Sequence, residues 1–203
     1  MRLAVFGATG RAGRVVVDHA LRGGHEVGAL ARDPARIHPH ARLRVVSGDV
    51  RDPVAVARTL DGADAIVSTL GRRRRGGDVC TDGIRTVLSA AAGGIPRRLI
   101  VLSNYAVADS RHRTAYVAVS WLLQPAVLRD KEQMEALVRD SGTDWTVVRA
   151  PALTDGPRTG RYRTGIDLRP SLTARVSRAD LAEFMLAELR DNAYVRRSVT
   201  ITP

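Results

Sequence analysis

Leu3-Ala4-Val5-Phe6-Gly7-Ala8-Thr9-Gly10-Arg11-Ala12-Gly13 carries an apolar run straight into three glycines spaced three apart, and Arg14 to Leu21 continues with helical periodicity. This order predicts a strand, a tight turn and a helix start. Glycine has no Cβ, so the backbone can turn sharply and approach a pyrophosphate closely. The free N–H groups at the helix N-terminus then face the phosphate charge. Three glycines at this spacing can also simply join a strand to a helix. Their position after the first strand, with further strand and helix patterns behind them, is what points to a phosphate-binding turn.

Working outward, strands are predicted at Arg2 to Phe6, Glu26 to Ala31, Leu43 to Ser47, Ala65 to Thr69 and Arg98 to Ser103. Between them lie helical stretches ending at Leu21, at Leu60 after Pro53, and from about Val79 to Ala92. The fourth and fifth strands are apolar on both faces, as in a parallel sheet covered by helices on each side. Repeated strand-helix alternation predicts an α/β, doubly wound (Rossmann-type) parallel sheet with ligands at the carboxyl ends of its strands. Beyond Ser103 the pattern loosens. An apolar segment, Ala115 to Leu123, is broken at Pro125; a helix from about Leu128 to Arg139 leads to a sixth strand, Trp145 to Arg149, stopped by Pro151. A Gly-rich, flexible loop is expected from Thr154 to Gly165. Ser177 with Asp180 caps a last helix whose Leu181, Phe184, Met185 and Leu189 face the core, and Ser198 to Ile201 reads as an edge strand.

The chain has 203 residues, enough for one domain with a full core and too few for a separate large substrate domain. Residues 1–203 therefore read as a single domain around the phosphate-binding turn, its substrate side built from elements within about 104–175. The net charge is +11, and every one of the 32 basic residues except Lys131 is arginine. Arginines spread along the whole chain and not interleaved with aromatics argue for a solvated basic surface, not a specific nucleic-acid face. The lone Cys80 excludes an internal disulfide and fits a reducing compartment. No stretch reaches the roughly 18 apolar residues of a membrane span. The N-terminus enters a strand without a signal-peptide pattern, so a cytoplasmic protein with no membrane partner is expected, as a monomer or homodimer.

Gly7 to Gly13, Ala31-Arg32-Asp33, Gly48-Asp49-Val50, Ser103 and the stretch Ser141 to Arg149 together resemble an atypical short-chain dehydrogenase/reductase, within the NAD(P)H-binding group that includes biliverdin reductase B-like flavin reductases and NmrA-like proteins. The resemblance extends through Gly156 to Tyr162 and Val176 to Leu181. It implies cofactor contacts from Gly7, Thr9, Gly10, Arg11, Ala12 and Gly13, from Asp49 and Val50 around the adenine, and from Thr69, Leu70 and Gly71 along the ribose. Asp49 can equally serve only as a turn or cap residue.

Cofactor choice follows from charge. An NAD site places an acidic residue about 20 residues beyond the glycines, whereas a 2′-phosphate needs a cation there. The second strand ends in Ala31-Arg32, so Arg32, helped by Arg11, predicts NADP(H). Its alternative is a solvated loop arginine. For chemistry, the Tyr-x-x-x-Lys pair of the wider family is missing: Tyr105 is followed four on by Asp109, and Tyr116 by Ser120. Ser103, at the end of the fifth strand, can donate to the nicotinamide carboxamide or to a substrate, or can satisfy strand-end backbone groups. Lys131 either turns toward the cleft or makes an exposed pair with Glu135. Tyr105 reads as a pocket wall and Trp121 as packing. Arg72 to Arg75 either attract an anionic acceptor or form a solvated loop. Cys80 lacks an evident base and the histidines lack metal-ligand spacing. The implied function is NADPH-dependent reduction of a small conjugated acceptor (flavin, quinone or tetrapyrrole). The alternatives are a non-enzymatic NADP(H) sensor and a ketoreductase- or epimerase-type tailoring enzyme.

Overall fold

The computed structural model describes residues 1–71, 77–93, 96–110 and 114–203. The first half alternates β1 (Arg2–Phe6), α1 (Arg11–Arg22), β2 (Glu26–Ala31), β3 (Leu43–Ser47), α2 (Pro53–Leu60), β4 (Ala65–Ser68), α3 (Val79–Ala91) and β5 (Arg98–Asn104). The second half adds α4 (Ala115–Leu123), α5 (Pro125–Arg139), β6 (Asp144–Ala150), β7 (Ala152–Thr154), β8 (Arg163–Gly165), β9 (Arg175–Ser177), α6 (Arg178–Asp191) and β10 (Arg197–Thr202).

The main sheet has the order β3-β2-β1-β4-β5-β6-β10-β8, parallel throughout except for the β10–β8 pair, and β7 and β9 form a separate parallel ribbon. Strand order reverses beside β1, where β2 lies on one side and β4 on the other. A crevice opens at such a reversal, beyond the carboxyl ends of the strands. Side-chain alternation divides the core between the two faces. Leu3 and Val5 point to the layer of α1 and α6, while Ala4 and Phe6 point to the layer of α2, α3 and α5. The doubly wound expectation is met.

Three local readings are corrected. The break at Pro125 holds, with α4 ending at Leu123, but the next helix starts at Pro125 and not at about Leu128, because a first-turn residue needs no N–H donor and proline's φ is already helical. The segment expected at the edge, Ser198 to Ile201, is interior: β10 pairs with β6 on one side and β8 on the other. Finally, the loop after Thr154 is anchored. Asp180 Oδ1 accepts from the Thr159 and Gly160 backbone N–H groups at 2.8 and 2.9 Å, and Oδ2 from the Thr159 hydroxyl at 2.8 Å. Ser177 caps α6 as expected, accepting from Asp180 N at 3.0 Å. Burial, the largest single influence, pushes the Asp180 carboxyl up, but the Gly160, Ser177 and Thr159 donors outweigh it and hold the group below its ordinary value.

Candidate functional site

A cavity of about 710 Å³ runs along the carboxyl ends of the strands, from β2 and β3 past the glycine turn to β5, β6 and α4. Its centre is the turn itself. Gly7 adopts φ +85°, and a Cβ there would lie 2.8 Å from the Thr69 carbonyl carbon. At Gly13 a Cβ would come within 2.1 Å of Gly7 O, so only glycine lets the first turn of α1 close onto the strand end. Gly10 caps α1 without a side-chain acceptor. The helix N-terminus is thus left bare toward the cavity, which suits an anionic ligand.

Of the residues marked by sequence, Gly7, Thr9, Gly10, Arg11, Ala12, Arg32, Asp49, Val50, Thr69, Leu70, Gly71, Ser103 and Lys131 all line this one cavity. Gly13 sits behind the turn and supports it. Arg32 lies at the β2 end with Nε 4.0 Å from Asp49, the arginine exposed and the carboxylate half-buried, an ion pair that water weakens. Arg36, one 3₁₀ turn further on, lines the same cavity. Sequence reading passed over Arg36, although its spacing from Arg32 across Pro34 was the available signal. Arg11, expected to assist Arg32, is instead engaged by Asp155, whose other oxygen accepts from Arg178 at 2.6 Å. These two arginines, Arg11 hydrogen-bonded to it first among the causes, hold the Asp155 carboxyl below its usual range. Arg178, also a cavity residue, was not anticipated either.

At the other end the floor is built from β5 and α5. Lys131 is buried; its ammonium donates to Leu70 O at 2.7 Å and Leu102 O at 2.6 Å, tying the chain after β4 to β5. The exposed Lys131–Glu135 pair is therefore overturned. With α5 starting at Pro125, the Lys131 position faces the sheet. Glu135 is itself fully buried and binds Arg149 through two contacts of 3.2 and 2.6 Å. Arg149 also reaches Asp109, and Arg139 binds Asp109 at 2.7 Å and Glu135 at 3.2 Å. This network braces the chain after β5 from beneath. Its local turn is further fixed by Asn104 Oδ1 accepting from Ala106 N at 2.8 Å and by Trp121 Nε1 donating to Ala106 O at 2.9 Å.

Ser103 is 5% exposed, and its Oγ has no hydrogen-bond partner among the described residues. The reading of this hydroxyl as a strand-end backbone partner is thus not what the structure shows. A buried, unmatched hydroxyl on a cavity floor is costly unless a ligand completes it, so it fits a carboxamide or substrate oxygen. Tyr105 does not line the cavity. Its buried ring packs edge-on behind Tyr116, with centroids 5.9 Å apart, and Tyr116 is the tyrosine that reaches the cavity. The segment Ala115 to Leu123 was expected to present an apolar wall, but α4 turns only part of its apolar residues inward. Tyr116, Val117 and Ser120 are buried, while Val119, Leu122 and Leu123 are exposed.

Cys80 is buried and its thiol is pushed up to about 11, chiefly by burial, so it is an inert packing group. Among the described residues, no set of three His, Cys, Asp or Glu side chains is placed to hold a metal ion, and no helix is long and apolar enough to cross a membrane. The run Arg72 to Arg75 and His112 lie outside the described residues.

The glycine cradle, the bare helix N-terminus and the unmatched Ser103 hydroxyl fit an extended dinucleotide, and comparison with known proteins agrees. Residues 7–192 match the family model described as NAD(P)H-binding. Over 148 residues the chain is 32% identical to a (4-alkanoyl-5-oxo-2,5-dihydrofuran-3-yl)methyl phosphate reductase of Streptomyces griseus, covering 72% of this chain and 46% of that protein. The first curated relatives it matches are uncharacterized mycobacterial proteins, and it spans 14% of their length. In fold it is similar to ChuY, an anaerobillin reductase from Escherichia coli O157:H7, with TM-score 0.83, 23% identity and coverage of 99% of this chain and 96% of that one. It is also similar to a short-chain dehydrogenase/reductase from Veillonella parvula solved with NADP, with TM-score 0.84, 17% identity and coverage of 100% and 94%.

Proposed function

The chain belongs to the NAD(P)H-binding family, and from that premise we propose that it is an NADPH-dependent reductase passing hydride directly to a planar conjugated acceptor of the flavin, quinone or tetrapyrrole class. One observation carries this reading: the cavity does not stop where the cofactor cradle ends. It continues past the unmatched Ser103 hydroxyl to Tyr116, Gln124 and Leu153, leaving room for a second ring beside the first. A sensor of the cofactor alone needs no such extension. Reductase names among the similar proteins support the same class of chemistry.

In this reading the bare N-terminus of α1 takes the pyrophosphate, Arg32 and Arg36 take the 2′-phosphate, and Asp49 and Val50 flank the adenine. Thr69 to Gly71 follow the ribose. When bound, the dihydronicotinamide supplies the hydride. Ser103 donates its free hydroxyl to the carboxamide or the acceptor. Lys131 holds the floor by fixing the Leu70 and Leu102 carbonyls, which keeps the site's geometry constant during transfer. No tyrosine-lysine acid is required, because an electrophilic acceptor can take its proton from water. The protein's work is then orientation of two π-systems.

The test is NADPH oxidation against riboflavin, menadione and biliverdin, run beside calorimetry with NADPH and NADH. Oxidation with one or more acceptors and tighter binding of NADPH are expected, and Ser103→Ala should slow turnover modestly with NADPH affinity retained. Tight NADPH binding without oxidation of any acceptor would favour the sensor instead.

A further inference from the structure

α4 divides its apolar residues between two sides. Its buried side carries Tyr116, Val117 and Ser120, with Trp121 packed beside Tyr116 and Val117, and the exposed Gln124 stands at the junction with α5. Its outward side carries Val119 and Leu122, which are 43% and 81% exposed. A surface helix ordinarily turns its apolar stripe inward. Here Val117 and Trp121 pack inward beside Tyr116 while Val119 and Leu122 stay outside, and Tyr116 and the exposed Gln124 line the cavity. Ser120 is buried one helical turn from Tyr116. The Tyr105 ring, edge-on at 5.9 Å, fixes the Tyr116 ring from behind. Across the cavity, Val127, Pro151, Ala152 and Leu153 supply apolar surface.

We infer that α4 is the element that reads the acceptor, with Tyr116 and Gln124 hydrogen-bonding the polar edge of a planar heteroaromatic ring whose faces rest on the apolar wall. This deepens the reductase reading and rests on it. The chemistry of the two side chains specifies the edge. A phenol donates to a carbonyl oxygen. A carboxamide donates and accepts at once, so it matches a neighbouring C=O and N–H pair. The preferred acceptors are therefore rings carrying an imide or lactam edge, over quinones that offer carbonyls without an N–H. Burial raises the Tyr116 phenol against the smaller opposing influence of Ser120, so the group stays a neutral donor across the physiological range.

Riboflavin, with its C=O/N–H edge, and menadione, which lacks an N–H, are the two probes, read as separate KM and kcat values at saturating NADPH. Tyr116→Phe and Gln124→Leu should each raise KM for riboflavin about tenfold, the size of one lost hydrogen bond, and raise KM for menadione much less. NADPH affinity by calorimetry should be unchanged in both, which also reports an intact fold. Leu122→Ser, on the outward side of the same helix, should change neither KM. Equal effects on both acceptors, a fall in kcat with KM unchanged, or an equal effect from Leu122→Ser would overturn the inference while leaving the reductase reading in place. A wild-type protein that oxidises NADPH with neither probe, nor with biliverdin, would overturn the reductase reading, and the inference would fall with it.

Discussion

The glycine turn and the wall after β5 face each other across one cavity but are held by different physics. The turn is specified by backbone. Gly7, Gly10 and Gly13 leave no room for a side chain, and no ion pair is needed to shape the strand-to-helix corner. The wall is specified by side chains distant in sequence: Asp109, Glu135, Arg139 and Arg149 come from the turn after β5, from α5 and from β6. A motif made of backbone conformation is compact in sequence. A motif made of buried charges can be scattered along the chain, which is why the two ends of the cavity differ so much in how they can be perturbed.

The largest effect is expected in the wall. Glu135→Ala takes the buried partner from the Arg149 guanidinium, leaving it the more exposed Asp109, and should cost about 3 kcal/mol of unfolding free energy, measured by urea denaturation. The double change Glu135→Leu with Arg149→Met removes both charges and should recover much of that loss. If the double variant were as unstable as the single one, packing and not charge would hold the wall.

Gly13→Ala strikes the turn. Its Cβ would sit 2.1 Å from Gly7 O, so the helix start must shift away. With an overpacking cost of about 3 kcal/mol, NADPH affinity should fall about 100-fold by calorimetry. Little change would mean that the turn is softer than its geometry implies. Arg32→Asp acts further along the same half, removing a charge-assisted bond to the 2′-phosphate and placing a carboxylate where a ribose 2′-OH can be bound. The NADPH over NADH preference should drop by about 1.5–3 kcal/mol or reverse. Equal binding of both cofactors by the wild type would remove the 2′-phosphate site from this end.

The smallest effect concerns the anchored loop. Because the Asp180 carboxyl is held below its ordinary value in the folded protein, its stabilising contribution is complete above the unfolded carboxylate pKa of about 3.9 and is lost as pH falls through the folded value. Asp180→Asn should cost about 1 kcal/mol near neutrality, and the difference from wild type should shrink below about pH 4. A difference independent of pH across that window would show that the loop is held by something other than this charge.

These contrasts also explain what could be read from the sequence. The doubly wound sheet, the glycine turn and Arg32 follow from periodicity and short motifs, Asp49 and Thr69 to Gly71 follow from the family resemblance, and the structure places these site positions on one cavity. Lys131 was only half legible. Its alternative partner, Glu135, lies at the right helical spacing, and nothing local reveals that Glu135 is taken by Arg149 from another strand. Tyr116 was set aside because no lysine follows it at four residues, yet α4 brings it to the cavity that Lys131 also lines from α5. The divided face of α4 was hidden by composition. Its apolar residues are numerous enough to suggest an inward wall, and only tertiary packing shows that Val119, Leu122 and Leu123 face out while Val117 and Trp121 pack inward. Arg36 and Arg178 were hidden by the abundance of arginine elsewhere in the chain.

Direct hydride transfer is tested most directly by single-turnover oxidation of NADPH deuterated at the transferred C4 position, with riboflavin as acceptor. Reductase chemistry in this cavity predicts acceptor-dependent oxidation that slows with the deuterated cofactor and slows further in Ser103→Ala. Tight binding of NADPH with no acceptor-dependent oxidation, deuterated or not, would contradict it.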